Sequence, residues 1–170
     1  MAHKTSFRKQ LTLFVNTFEA IPIENIRAEF NPKQYGLIPA HVTLCREDEI
    51  EPIATTIKRL QTVFIEKPLR IEFEKVQRFA NGKGVFMPCS ENYSEFIALR
   101  KAVLGQSELK KAQIPHITLM HPRNATCTDA TFAAIQNRQL PRLLTFTKIS
   151  LIAQKNGGKW HVLNEFEIVK

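Results

Sequence analysis

Two stretches of this chain repeat at a common spacing. His41-Val42-Thr43-Leu44 returns as His116-Ile117-Thr118-Leu119, and Asn81-Gly82 returns as Asn156-Gly157, each displaced by 75 residues. Asn-Gly between alternating apolar residues is the strongest short hairpin signal. A tetrapeptide repeated alone could be accidental, although the 5 His, 13 Thr and 15 Leu of 170 residues predict roughly 0.03 matches to His-x-Thr-Leu by chance. A motif and a turn that keep the same offset imply two copies of one larger unit. Two copies are too few for a solenoid, so they should pack as one body.

The elements around these landmarks support that reading. Residues 8–16 alternate as a strand, 23–35 read as a helix stopped by Gly36, and the first motif is a short strand over 41–45. A helix over 51–65 follows, with Pro52 in its first turn, where proline is tolerated. A long alternating strand over 69–79 then leads through Asn81-Gly82 to a return strand over 85–89. The second half repeats the order: a helix over 91–104 ended by Gly105, the motif strand over 116–120, a helix over 129–139, a long strand over 143–154 and a return over 160–169. No linker rich in Gly, Ser or Pro separates the halves. The expected architecture is α+β: one bilobal domain over 1–170, pseudo-twofold, with antiparallel sheets lining a central cleft and helices packed outside.

Composition narrows the setting. A chain of this length can bury a real core. It has no apolar run near the ~20 residues that span a bilayer, so no membrane association is expected. The start, Met1-Ala2-His3-Lys4-Thr5-Ser6, is polar and shows no signal peptide. Cys45, Cys89 and Cys127 fit neither a disulfide framework nor a Cys-x-x-Cys zinc site, which points to reduced thiols and a cytoplasmic protein. The formal charge of +8 favours an anionic partner such as a nucleotide or RNA, although basic proteins without one are common.

Strand alternation gives the motifs their chemistry. On each motif strand the histidine and threonine share one face and the two aliphatic residues the other. Related by a twofold, the polar faces can form the two walls of one cleft. One neutral imidazole can then take a proton from an attacking oxygen while the other, protonated, gives one to the leaving oxygen. Histidine supplies both forms near neutrality. Each threonine hydroxyl can donate to a non-bridging phosphoryl oxygen. The competing explanation is a pair of core histidines on similar strands, which the matched register disfavours.

These paired His-x-Thr-Leu motifs, in a chain of this size with an internal repeat, resemble the 2H phosphoesterase superfamily, whose branches include 2′-5′ RNA ligase-like proteins and 2′,3′-cyclic phosphodiesterases. The resemblance implies a bilobal fold with a central cleft, His41 and His116 as catalytic residues, and Thr43 and Thr118 as phosphate contacts. It also implies catalysis without metal or cofactor, and a substrate that is an RNA end or a nucleotide with a cyclic phosphate or 2′-5′ linkage. Analogy makes His116 the base and His41 the acid in hydrolysis, although the near-symmetric motifs do not themselves decide this. A monomer is expected.

Neighbouring residues are less determined. Arg46, His121 and Arg123 are candidates for the cleft rim, against the alternative of solvated loop side chains. Alternation puts His121 on the face opposite His116 unless the strand has already ended. His116, His121 and Cys127 match no standard zinc spacing. Phe79, Phe86 and Trp160 flank the turns and could stack a base, with core packing the default. Lys83 and Lys159, at the turns, read as solvated surface. Cys45 alternates onto the His41 face, with no base partner beyond His41. Ala40 precedes one histidine and Pro115 the other, the place where the repeat should lose its symmetry. Two other classes stay open: a non-catalytic RNA- or nucleotide-binding module that keeps the cleft, and a purely structural protein.

Overall fold

Both motif strands form where alternation places them, and the fold is built outward from them. The structure is a computed structural model and describes residues 6–170, so the polar start at Met1–Thr5 lies outside the described residues. In chain order the elements are β1 (Phe7–Phe14), α1 (Thr17–Phe30), α2 (Pro32–Leu37), β2 (His41–Cys45), α3 (Ile53–Leu60), β3 (Leu69–Glu72) and β4 (Gln77–Arg78). There follow β5 (Val85–Pro88), α4 (Ser94–Leu104), β6 (His116–Met120), α5 (Asp129–Gln136), β7 (Leu143–Phe146), β8 (Lys148–Lys155) and β9 (Trp160–Glu167). Seven strands make one antiparallel sheet in the order β4-β5-β6-β2-β1-β8-β9, and β3 pairs with β7 separately. The expected α+β class with antiparallel sheets is what is found.

The motif strands β2 and β6 lie at the sheet's centre. Outside each runs one strand, β1 beside β2 and β5 beside β6, then β8 and β4. The Asn81-Gly82 and Asn156-Gly157 turns join β4 to β5 and β8 to β9, with Gly82 at φ 70° and Gly157 at φ 72°, the left-handed backbone these turns demand. Strand β9 extends the sheet on one side only. Val42, Leu44, Ile117 and Leu119 are fully buried on one face of the central strands and join one core with Ile23 and Ile26 of α1 and with Phe96, Leu99 and Val103 of α4.

Several expectations about elements are corrected. The single helix over 23–35 is two helices broken at Asn31, and Gly36 lies inside the second rather than stopping the first. Pro32 causes the break, because the residue before a proline is driven out of the helical region; Asn31 sits at φ −147°, ψ 59°. Helix α1 also begins earlier, at an Asn16 side chain that accepts the Phe18 amide, the usual N-cap bond.

The second correction concerns the long strands over 69–79 and 143–154. Each breaks in the middle, its first part pairing in the two-stranded sheet and its second in the large one. The buried positions shift phase at the breaks, from Leu69, Ile71 and Phe73 to Val76, and from Leu144 and Phe146 to Ile149 and Leu151. A strand cannot bury both sets on one face without turning.

The remaining helices are shorter than read, and Pro52 precedes α3 as its N-cap. Gly105 does end α4, in the left-handed conformation at φ 63°, as a helix C-terminus favours.

Candidate functional site

Val42 and Ile117 are partners across the antiparallel β2–β6 pair. Continuing that register by one residue each way sets His41 across from Thr118 and Thr43 across from His116. Because the aliphatic face is in the core, all four polar side chains are presented on the other face. There they line a single cavity of about 800 Å³. The two motifs therefore lie side by side on one face of the sheet.

Each imidazole is held in one orientation. His41 Nδ1 lies 2.7 Å from the carbonyl oxygen of Pro39, and His116 Nδ1 lies 2.9 Å from that of Ile114. A carbonyl only accepts, so Nδ1 carries the proton in both rings, and each Nε2 is left for the cleft. The carbonyl is supplied two residues upstream in both strands, so the difference between Ala40 and Pro115 does not disturb it. Aromatic edges pack beside the rings: Phe14 at 6.2 Å from His41, and Phe79 and Phe86 at 6.1 and 5.8 Å from His116.

Behind His41 stands an ion pair that sequence patterning did not reveal. Arg27 of α1 is buried, donating to Glu24 Oε2 at 2.5 Å and to the Ile38 carbonyl at 2.7 Å. Glu24 Oε1 accepts the Ala40 amide at 2.5 Å. Together they grip both sides of Pro39, whose carbonyl orients His41. In the other half, the buried Arg100 of α4 donates to the Leu44 carbonyl, to Glu49 Oε1 at 2.6 Å and to the Lys111 carbonyl at 3.1 Å. Such residues are hard to find in sequence, since each looks like a surface arginine on a helix; Arg100 meets Glu49 across a sequence separation of 51.

Burial pushes the His41 pKa down to about 4, with the positive charges of Arg27, His116 and His121 adding to the effect and the Pro39 carbonyl opposing it. His41 is therefore neutral near pH 7, its Nε2 an open acceptor. That environment suits a proton acceptor better than the donor role suggested by analogy.

All three rim candidates, Arg46, His121 and Arg123, line the cavity. Strand β6 ends at Met120, so alternation no longer governs His121. Its pKa is lowered by burial and by Arg123 and Arg8. The rim loop is pinned by the buried Asn31, whose Oδ1 accepts the His121 amide at 2.8 Å and whose Nδ2 donates to Asn124 Oδ1 at 2.9 Å. Asn124 in turn donates to Gln34 Oε1 at 3.0 Å. Asn31 thus stands at the helix break and anchors the rim; the adjacent Asn-Pro pair was the available signal.

Cys45 does not face the cleft. Leu11 pairs with Cys45 while Thr12 pairs with Thr43, so Leu44 is an extra residue in a bulge that reverses the alternation beyond it. Cys45 is fully buried, and burial pushes its thiol up to about 12. Strand β6 has the matching irregularity at Leu119, between Thr118 and Met120.

Phe79 and Phe86 stack on each other at 4.5 Å beside His116, and Trp160 lines the cavity rather than packing in the core. Lys83 and Lys159 are exposed at their turns, as read. Cys127 is buried, and among the described residues no three His, Cys, Asp or Glu side chains are grouped to hold a metal ion. Five basic residues line the cavity, Arg8, Lys9, Lys33, Arg46 and Arg123, against the acidic Glu47 and Asp48. A smaller groove of about 460 Å³, lined by Phe64, Leu69 and Leu99 among others, contains none of the residues singled out. No described helix is long and apolar enough to cross a membrane.

The family model described as the 2′-5′ RNA ligase superfamily matches residues 15–158, a span that includes both motifs. No curated protein sequence matches the chain. Among solved structures, E. coli LigT complexed with phosphate is 16% identical with a TM-score of 0.65, covering 96% of this chain and 98% of that one. LigT complexed with NADP+ is 15% identical with a TM-score of 0.66 over the same shares. The protein TT0787 of Thermus thermophilus is 16% identical with a TM-score of 0.59, covering 95% of this chain and 97% of that one. At these identities the likeness is one of fold.

Proposed function

The chain belongs to the 2′-5′ RNA ligase superfamily, and from that premise we propose that it is a phosphoesterase acting on 2′,3′-cyclic phosphates or 2′-5′ linkages of RNA ends or nucleotides through His41 and His116. The observation that carries this reading is the shared orientation of the two rings. Both Nδ1–H groups are committed to a carbonyl two residues upstream, so both Nε2 atoms are available for proton transfer across the cavity.

With a cyclic phosphate as substrate, a water oxygen attacks phosphorus while His41, neutral at the working pH, takes its proton on Nε2. The bond from phosphorus to one ribose oxygen breaks, and His116 gives that oxygen the proton from its own Nε2. The product is a phosphomonoester. The Thr43 and Thr118 hydroxyls donate to the non-bridging oxygens, where charge grows in the transition state. This assigns His41 as base, reversing the analogy, because a half-buried ring within reach of the Arg27 charge resists protonation in the free site.

Other observations agree. The relative LigT has been solved with phosphate, NADP+, 3′-AMP and ATP, and the basic cavity of this chain suits such anions. Both histidines come from one chain, so a monomer completes the site. We read the halves as a duplication across β2 and β6, in keeping with the strand order. The three free thiols accord with a cytoplasmic setting.

Incubation with 2′,3′-cyclic nucleotides in EDTA tests the reaction. We expect a single phosphomonoester product and an undiminished rate; loss of activity on chelation would rule the mechanism out. Salt-sensitive RNA binding without turnover would instead indicate a binding module.

A further inference from the structure

The cavity continues past the histidines along β1 towards β9, the strand present on one side only. Arg8 pairs with Gln154, and Gln154 with Trp160, so the three side chains form one row across β1, β8 and β9 on a single face. Arg8 is four residues from Thr12, whose partner is Thr43; even spacing keeps them on the same face of β1. The row therefore lies on the Thr43 face, about 13 Å farther along the strand at ~3.3 Å per residue. All three side chains line the cavity that holds the histidines. The Arg8 guanidinium lies 5.6 Å from the centre of the Trp160 ring, and Gln154 is fixed by donating to the Gly158 carbonyl at 2.7 Å. Glu47, 3.6 Å from Arg8, offsets part of its charge, while Lys9 lines the cavity beside it.

A half-buried indole under a guanidinium, opening into a basic cleft, has the components of a single-strand nucleic-acid subsite: a stacking surface and a charge for the backbone. Its distance from the motif threonines fits a base farther along a strand rather than the base of the reacting nucleotide.

We propose that the Arg8–Gln154–Trp160 row is a second base-binding subsite, and that the preferred substrate is a single-stranded oligoribonucleotide with its reacting end between the histidines. Another base of that strand stacks on Trp160 while Arg8 meets the connecting phosphate. The proposal rests on the phosphoesterase reading for what happens at the reacting end; binding at the row can be measured without turnover.

Trp160 is the one tryptophan in the chain, so its fluorescence reports on this row alone. The full chain is titrated with an RNA trinucleotide bearing a 3′-phosphate and, separately, with a 3′-mononucleotide, while calorimetry follows binding of each. The trinucleotide should quench the fluorescence as it binds, and the mononucleotide should bind without quenching. Arg8→Gln should weaken trinucleotide binding about tenfold, and Trp160→Ala, read by calorimetry, at least about fivefold. Failure of the trinucleotide to bind, unchanged fluorescence at saturation, or equal quenching by both ligands would overturn the subsite. Trinucleotide-specific quenching in a chain that hydrolyses neither cyclic substrate would keep the subsite and remove the phosphoesterase reading.

Discussion

Glu24 accepts the amide of Ala40 at 2.5 Å, and through that bond a helix on the core side of the sheet grips the residue next to a cleft histidine. Its partner Arg27 holds Ile38 from the other side. The carbonyl of Pro39, between them, is therefore fixed in space, and with it the direction of His41 Nε2.

Removing the arginine should injure both stability and rate. Breaking a buried ion pair costs about 3–5 kcal/mol, so Arg27→Met should unfold at distinctly lower denaturant. Arg27→Lys should recover part of that stability. In whatever fraction folds, turnover should drop by tens of fold, because a small misplacement of a catalytic group can cost up to about 100-fold. Chemical denaturation alongside kcat separates the two effects.

His41 also links stability to pH. Its folded pKa of about 4 lies below the unfolded value of about 6.5, so between these values the unfolded chain binds the proton and the folded chain does not. Stability contributed by the neutral ring is fully present above pH 6.5 and is lost as pH falls towards 4, by up to about 1.4 kcal/mol per pH unit. Urea denaturation of wild type and His41→Gln across pH 4–7 checks this. The variant should show the shallower dependence, and parallel curves would contradict the assignment.

The same shift predicts the rate profile. If His41 is the base in the free enzyme, the acid limb of kcat/KM should lie near pH 4 rather than 6.5, and replacing Arg27 by Met should move it upward by removing a repelling charge. An acid limb that stays in place would assign it to another group.

Asn31 ties the rim to the helices through bonds to His121 and Asn124. Asn31→Ala leaves the His121 amide without this partner, at a cost of about 1–3 kcal/mol. The freed loop carries His121 and Arg123, so KM should rise while kcat changes less. An unchanged KM would show that the rim does not contact substrate.

How far the sequence reached follows from what each signal encodes. The motif strands could be read residue by residue because alternation is local, and one face of each had to be aliphatic. The turns were legible because Asn-Gly chemistry is local too. What failed was non-local. The bulges that turn Cys45 inward arise from pairing with β1, and the buried arginines are defined by carbonyls brought in by the fold. The breaks at the ends of β3 and β7 lie between these cases: the phase slips at Val76 and Ile149 are in the sequence, but continuous β-propensity masked them. For Trp160 the sequence favours core packing over base stacking, since nothing in its neighbourhood shows that β9 lies beside an open cleft.

In the proposed reaction His41 and His116 act as one acid–base unit. Its most direct test is single-turnover hydrolysis of a 2′,3′-cyclic phosphate by wild type, His41→Ala, His116→Ala and the double variant, all in EDTA. Positioned proton transfer contributes about 10²–10⁴-fold, and residues that act together are strongly non-additive. Each single variant should therefore lose at least about 100-fold while remaining folded, and the double variant should lose little more. A single variant within about tenfold of wild type would contradict the two-histidine mechanism.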